Sequence, residues 1–102
     1  MLSTTNFAIM EISFITESEQ VMYRSRDHLS PLLRRLGVKY RSDRGYPAEA
    51  YQFGIPIAFD AHYTMTFDVQ VSADDPRIPQ IREAAQGVAE SLSGVIGLDI
   101  EM

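Results

Sequence analysis

The stretch that decides the fold is 62-HYTMTFDVQVSA-73, in which apolar and polar side chains alternate without a break. One face of this stretch carries Tyr63, Met65, Phe67, Val69 and Val71. The other face carries His62, Thr64, Thr66, Asp68, Gln70 and Ser72. A period of two is typical of a strand with one face on the core and the other in water, as in antiparallel sheets. The stretch therefore predicts a two-layer domain whose sheet has one open face.

Three further strands are predicted around this one. Residues 7–15 alternate as a strand, and 38–42 (VKYRS) form a short one. Residues 95–102 form the last strand. Its inward residues are predicted to be Ile96, Leu98, Ile100 and Met102.

Two helices are predicted between these strands. Apolar residues at helical spacing place the first helix at about 17–36, with Thr16 and Glu19 as a capping box. Gly37 is expected to end it in a left-handed conformation, and His28 falls on its inner stripe. The second helix follows the acidic turn ADDPRIP, runs to about residue 92 and is closed by Gly94.

Pro31 leaves the first helix open to other interpretations. A proline inside a helix removes one hydrogen bond and crowds the preceding turn, so a kink is expected. Ser30 and Pro31 could instead start a separate short helix at 31–36. In a third interpretation, residues 19–26 form a strand paired with the first one.

The resulting order is β-α-β-β-α-β. Two interlocking right-handed crossovers in this order predict an α+β, ferredoxin-like split βαβ sandwich. Its four antiparallel strands lie in the order 4-1-3-2, with both helices on one face. A length of 102 residues fits one domain, 1–102, with an elaborated connection between the second and third strands. The order resembles that of small regulatory ACT-type modules and dimeric α+β barrel enzymes, although the glycine-led turn of the former is absent from ITESE.

Composition narrows the classes of function. The chain has no cysteine, no export signal, and no apolar run near the ~20 residues of a membrane helix, so a soluble cytoplasmic protein is expected. The net charge of −5 argues against nucleic acid as a partner. Seven of the nine basic residues nevertheless lie between positions 24 and 44. The candidates for binding an anion are Arg34, Arg35, Lys39, Arg41 and Arg44.

The open face of the predicted sheet is the first candidate surface. Glu11, Asp68, Asp99 and Glu101 should gather there as an acidic cluster, close to exposed Phe7, Ile9 and Ile15. Apolar groups that are exposed together in one patch usually mark a surface that another segment or molecule covers. The cover could be residues 45–63, a second subunit or a different protein.

Residues 45–63 are the second candidate surface, because they hold half of the ten aromatic residues. The aromatic side chains are Tyr46, Tyr51, Phe53, Phe59 and Tyr63. They could form a binding surface, or Phe53 and Phe59 could belong to the core with the tyrosines at its rim. The segment is expected to be ordered and to shield or shape the open face.

Asp60 and His62 are two residues apart and could form an oriented general base or part of a metal site. Two histidines in the chain are too few for a typical zinc site, and no nucleophilic triad or phosphate loop is present. No catalytic residue, metal or cofactor is therefore predicted. The sequence favours a non-catalytic interaction module that acts by self-association, as a homodimer, and by binding a protein partner. The alternative is a small-ligand-binding protein or enzyme with a pocket between the sheet and residues 45–63.

Overall fold

The computed structural model describes residues 7–47, 50–57 and 62–102. Its elements are β1 (Phe7–Thr16), α1 (Glu19–Leu36), β2 (Lys39–Gly45), β3 (Ala50–Gln52), β4 (Ile55–Ile57), β5 (Tyr63–Ser72), α2 (Ile78–Ser91) and β6 (Val95–Glu101).

Four of the strands form one antiparallel sheet in the order β2-β5-β1-β6. This is the predicted 4-1-3-2 order, so the ferredoxin-like α+β fold is confirmed. The two remaining strands form a separate β3–β4 hairpin, which is the elaboration of the connection between β2 and β5.

The core lies between the sheet and the two helices. From the strands it takes alternate residues, as the period of two predicted, and Phe14 meets Phe67 edge-on with ring centroids 6.0 Å apart. The fully buried side chains include Met10, Ile12, Phe14, Met22, Leu29, Leu33, Phe67, Val69, Ile81 and Ala85. Both helices pack on this face of the sheet, so neither of them covers the opposite face, which we call the open face.

The start of α1 differs from the predicted capping box. Ser18 is the N-cap, and its hydroxyl accepts a hydrogen bond from the Val21 amide at 3.2 Å. Thr16 stays in β1, fully buried, where its hydroxyl donates to the carbonyl oxygens of Ser18 and Tyr63 at 3.1 and 3.2 Å. The predicted pairing of Thr16 with Glu19 is wrong, because the strand end holds the threonine hydroxyl.

Helix α1 is continuous from Glu19 to Leu36 and contains Pro31 in its interior. Residues 19–26 are therefore helix, and no second helix starts at Pro31. Gly37 ends the helix at φ 73°, as predicted, and its amide donates to the Arg34 carbonyl. His28 is exposed, contrary to the prediction, because Leu29 occupies the buried stripe beside it.

Strand β6 also departs from the predicted alternation. Its pairing with β1 shifts between Ile15, opposite Gly97, and Thr16, opposite Val95. Ile96 is the extra residue of this bulge and is 46 % exposed, whereas Val95 packs on the core. Met102, also predicted to point inward, is exposed.

The turn before α2 is held by Asp75 and Arg77. The Asp75 carboxylate accepts from the Arg77 amide at 2.8 Å and forms an ion pair with its guanidinium at 2.7 Å. The same guanidinium donates to the Leu36 carbonyl at 3.0 Å, which ties the end of α1 to the start of α2. Among the described helices, none is long and apolar enough to cross a membrane.

Candidate functional site

The register of the sheet gathers acidic residues on the open face. Asp68 of β5 lies opposite Glu11 of β1, which in turn lies opposite Glu101 of β6. We call these three residues the acidic row; Arg41 of β2 continues it on the other side of Asp68. Asp99, the fourth acid of the predicted cluster, lies two residues away along β6. Like charges directly opposite each other destabilise a sheet, so the acidic row carries a cost in folding free energy.

Charge on the open face is unbalanced in favour of acid. The described strands of the sheet place five carboxylates on this face, the fifth being Asp43, against the two cations Lys39 and Arg41, a net charge of −3 for these residues. Arg41 lies 3.6 Å from Asp43 in an ion pair whose members are both exposed. An exposed pair of this kind contributes little stability, so the excess negative charge remains available to a partner.

Apolar surface adjoins the acidic row. Ile9 is 56 % exposed on β1, and Ile15 is half-buried on the same face. A shallow depression of about 280 Å³ beside Ile9 is lined by Ile9, Lys39, Tyr40, Arg41, Asp68 and Gln70. Exposed isoleucine next to charged side chains is the composition of a contact surface.

The acidic row does not have the geometry of a metal site. Within the described ranges, no three histidine, aspartate or glutamate side chains come together closely enough to hold a metal ion.

The tip of the β3–β4 hairpin does not cover the open face. Phe53 is 92 % exposed and Ile55 is 67 % exposed, so the interpretation of Phe53 as a core residue is wrong. Phe53 and Gly54 have φ values of 54° and 75°, the positive values needed in a tight two-residue turn. A phenylalanine in this conformation costs about 1–2 kcal/mol, so the exposed ring is kept at some expense in stability.

The predicted residues of this segment differ in whether the structure describes them. Phe59 and Asp60 lie outside the described residues, as does the side chain of Tyr51. His62 is exposed just before β5. The predicted pairing of Asp60 with His62 therefore stays a prediction.

Tyr46 and Tyr63 belong to a second group of side chains, on the helix side of the sheet. Their rings meet edge-on at 6.2 Å, and the Tyr46 hydroxyl lies 2.9 Å from that of Tyr23 on α1. Arg44 donates to the Tyr23 hydroxyl at 2.6 Å, and Arg26 stacks on the Tyr23 ring. We call Tyr23, Arg26, Arg44 and Tyr46 the tyrosine–arginine cluster.

The hydrogen bonds of this cluster shift the pKa values of Tyr23 and Tyr46 in opposite directions. The bond with Tyr46, followed by the bond from Arg44, lowers the pKa of Tyr23 below its ordinary value. The same bond to Tyr23 raises the pKa of Tyr46. Sequence reasoning missed Tyr23 and Arg26; their i, i+3 spacing on α1 was a signal, but their meeting with Arg44 depends on how α1 packs beside β2.

The five basic residues predicted to bind an anion do not form one patch. Lys39 and Arg41 lie on the open face, whereas Arg44 points to α1. Arg34 donates to the Tyr40 hydroxyl at 2.9 Å, and Arg35 is exposed in the last turn of α1.

No protein-family model matches the sequence, and a search of curated proteins found no match. Solved structures do resemble it. B. subtilis GlnK matches with a TM-score of 0.48 at 15 % identity, covering 91 % of this chain and 82 % of that one. The B. subtilis GlnK–ATP complex matches with a TM-score of 0.49 at 17 % identity and the same coverage. The de novo designed protein Ferredog-Diesel matches with a TM-score of 0.45 at 16 % identity, covering 100 % and 90 %. At these identities the similarity concerns the fold.

Proposed function

We propose that this protein is a small, non-catalytic interaction module whose open sheet face binds a protein partner with a basic surface. The observation that carries the proposal is the acidic row, three carboxylates set side by side across β5, β1 and β6 next to exposed Ile9. A basic partner would relieve the repulsion within the row and cover the isoleucine in the same step.

The charges of the open face also bear on the homodimer that the sequence favours. A twofold axis parallel to the strands would lay the β2 edge of one copy over the β6 edge of the other. Arg41 would then face Glu101 of the second copy, but Asp68 would face its Glu11. An axis across the strands would place like edge over like edge. Self-association through this face therefore brings acid against acid, and a basic partner fits the face better than a second copy does.

The dependence of binding on salt concentration distinguishes a basic partner from a second copy of the chain. Binding to a basic partner should weaken as ionic strength rises, because salt screens the attraction. Self-association should strengthen, because salt screens the repulsion between the two acidic faces. The exposure of Phe53 and Ile55 at the hairpin tip does not favour the pocket expected between the sheet and residues 45–63.

The test uses a fluorescent oligolysine peptide as the basic probe and sedimentation velocity for self-association. The double variant Glu11→Gln with Glu101→Gln should weaken peptide binding about tenfold or more, since charge pairs across an interface can contribute 1.5 kcal/mol or more each. The matched control is Glu83→Gln with Glu90→Gln, which removes the same charge from exposed positions on α2.

Binding that falls equally in both double variants would refute the open face as the site, because only the overall charge would then matter. A dimer that strengthens with salt, together with no peptide binding, would assign the face to a second copy instead. Loss confined to the Glu11 and Glu101 variant supports the proposal.

A further inference from the structure

The tyrosine–arginine cluster lies where α1 packs beside β2, on the side of the sheet opposite the acidic row. Tyr23 and Arg26 are one helical turn apart on α1. Ser42 lies opposite buried Phe67 in the register, so it faces the helix layer, as Arg44 does. The edge of the core is thus closed here by polar and aromatic side chains rather than by aliphatic ones.

Two positive charges share one aromatic ring in this cluster. The Arg26 guanidinium lies 5.0 Å from the Tyr23 ring centroid, and that of Arg44 lies 5.9 Å from it. Arg44 is also 5.8 Å from the Tyr46 centroid. Each contact is a favourable cation–π interaction, but together they hold two like charges close to one another.

The positive charges of Arg26 and Arg44 differ in whether a carboxylate pairs with them. Arg26 forms an ion pair with Asp27 at 3.1 Å. Arg44 donates instead to a neutral phenol, that of Tyr23, and it belongs to none of the ion pairs found among the described residues. Glu19 lies near enough to act on Arg44 through its charge, but it forms no described ion pair with it. The guanidinium of Arg44 therefore retains donors and charge for another acceptor.

A small cavity opens at this point. It has a volume of about 210 Å³ and is lined by Arg26, Ser42, Asp43, Arg44 and Met65. The one carboxylate of the lining, Asp43, forms its ion pair with Arg41 on the open face. The residues that line the cavity thus include two arginines and a serine, whose guanidinium and hydroxyl groups are donors that oxyanions select in proteins.

We propose that this cavity binds a small tetrahedral oxyanion, a phosphate or sulfate group, held by Arg44 and Arg26 with the Ser42 hydroxyl as a third donor. The fork of an arginine matches two oxygens of such a group and forms short, charge-assisted hydrogen bonds with them. An anion between the two arginines also removes their mutual repulsion. The site lies on the helix side of the sheet, so it is independent of the partner surface proposed above.

Binding is tested with inorganic phosphate, sulfate and phenyl phosphate, each titrated at constant ionic strength and followed by amide chemical shifts. We expect saturable shifts that are largest at Tyr23, Arg26, Ser42 and Arg44. Tighter binding of phenyl phosphate would identify the ligand as a phosphate ester, and tighter binding of inorganic phosphate would identify it as the free anion. Shifts that never saturate, or that spread over the whole surface, would refute the site.

Arginine variants locate the binding. Arg44→Gln should weaken phosphate binding about tenfold or more, in keeping with the loss of a charge-assisted hydrogen bond. Arg26→Gln should act in the same direction. The matched control is Arg41→Gln, which removes the same charge from the same strand but from its other face and should leave binding unchanged. Equal losses in the variants of Arg44 and Arg41 would overturn the proposal.

An optical readout checks the variants without relying on affinity alone. Since Arg44 helps to lower the pKa of Tyr23, an anion that neutralises Arg44 should raise that pKa, which the absorbance of tyrosinate reports. Arg44→Lys keeps the charge but loses the fork, so it should bind phosphate more weakly than the parent protein and more tightly than Arg44→Gln. An unchanged tyrosinate titration at saturating phosphate would contradict the placement of the anion beside Arg44.

Discussion

Gly94 and Gly87 differ both in backbone conformation and in the space around them. Gly94, between α2 and β6, has φ 97°, and an added Cβ would lie 3.0 Å from a methyl group of Val21. Gly87 sits within α2 and is exposed, and an added Cβ would meet nothing within 4 Å. The same substitution should therefore have opposite effects at the two positions.

Gly94→Ala should lower the free energy of unfolding by about 1–3 kcal/mol, through backbone strain and the contact with Val21. Gly87→Ala should raise it by about 0.5–1 kcal/mol, because alanine loses less conformational entropy in a helix. Urea denaturation midpoints at an unchanged m-value measure both effects. A Gly94 variant as stable as the parent would show that this turn can relax to negative φ.

At the scale of elements, the junction between α1 and α2 depends on Asp75 and Arg77. The side-chain and backbone hydrogen bonds from Arg77 lower the pKa of Asp75 from 3.8 to about 2. A carboxyl group whose pKa is lower in the folded state stabilises the protein above its unfolded pKa and loses that effect as the pH falls. The contribution should be complete above about pH 4 and disappear as the pH approaches 2.

Asp75→Asn should accordingly lower the melting temperature near pH 7 and flatten its decline between about pH 4 and 2. Asp74→Asn is the control, since it removes the same charge from the adjacent exposed residue. Melting curves recorded across this range compare the two. If both variants show the same decline as the parent, the Asp75–Arg77 pair does not link the two helices in the way described.

At the scale of the whole molecule, the acidic row that would bind a basic partner also lowers the stability of the fold. Like charges across neighbouring strands each cost a few tenths of a kcal/mol to about 1 kcal/mol. Glu11 is the central member, with an acid on both sides. Removing its charge should therefore relieve two repulsions at once.

We expect Glu11→Gln to raise the free energy of unfolding by about 0.5–1 kcal/mol at low salt and to have less effect at high salt. Glu83→Gln on α2 should change stability by less than half of that. Denaturation at two salt concentrations provides the measurement. A destabilised Glu11 variant would mean that its carboxylate has a favourable partner, and the acidic row would then not account for the charge of the open face.

Periodicity in the sequence predicted the regular strands and helices. It missed the details that depend on contacts between two elements. Strict alternation at residues 62–73 was enough for β5, because a period of two has no other common structural cause. The position of Ile96 could not be predicted in this way, since the bulge arises where β6 pairs with β1. The sequence predicted Thr16 as the cap, whereas the hydrogen bonds at the end of β1 hold Thr16 in the strand and leave Ser18 as the N-cap.

The two candidate sites also differ in how far periodicity could predict them. The predicted acidic cluster followed from alternation plus strand order, and three of its four members lie in line as the acidic row. The tyrosine–arginine cluster joins α1 to the far edge of the sheet, and residue spacing within either element could not reveal it. The sequence left Phe53 open between a binding surface and the core, because aromatic content alone does not distinguish a core ring from one at the tip of a hairpin.

The bulge at Ile96 has a consequence for assembly into larger structures. The edge strand β2 carries three basic side chains against one acid, and the opposite edge strand β6 ends in the acids Asp99 and Glu101. Edges of opposite charge invite copies to join side by side into a continuous ribbon, which has no natural end because the contact is head-to-tail. A bulge bends its strand and interrupts the even spacing of its hydrogen-bonding groups, so it makes a poor template for the next copy. We therefore expect the bulge at Ile96 to disfavour the growth of such a ribbon into fibrils.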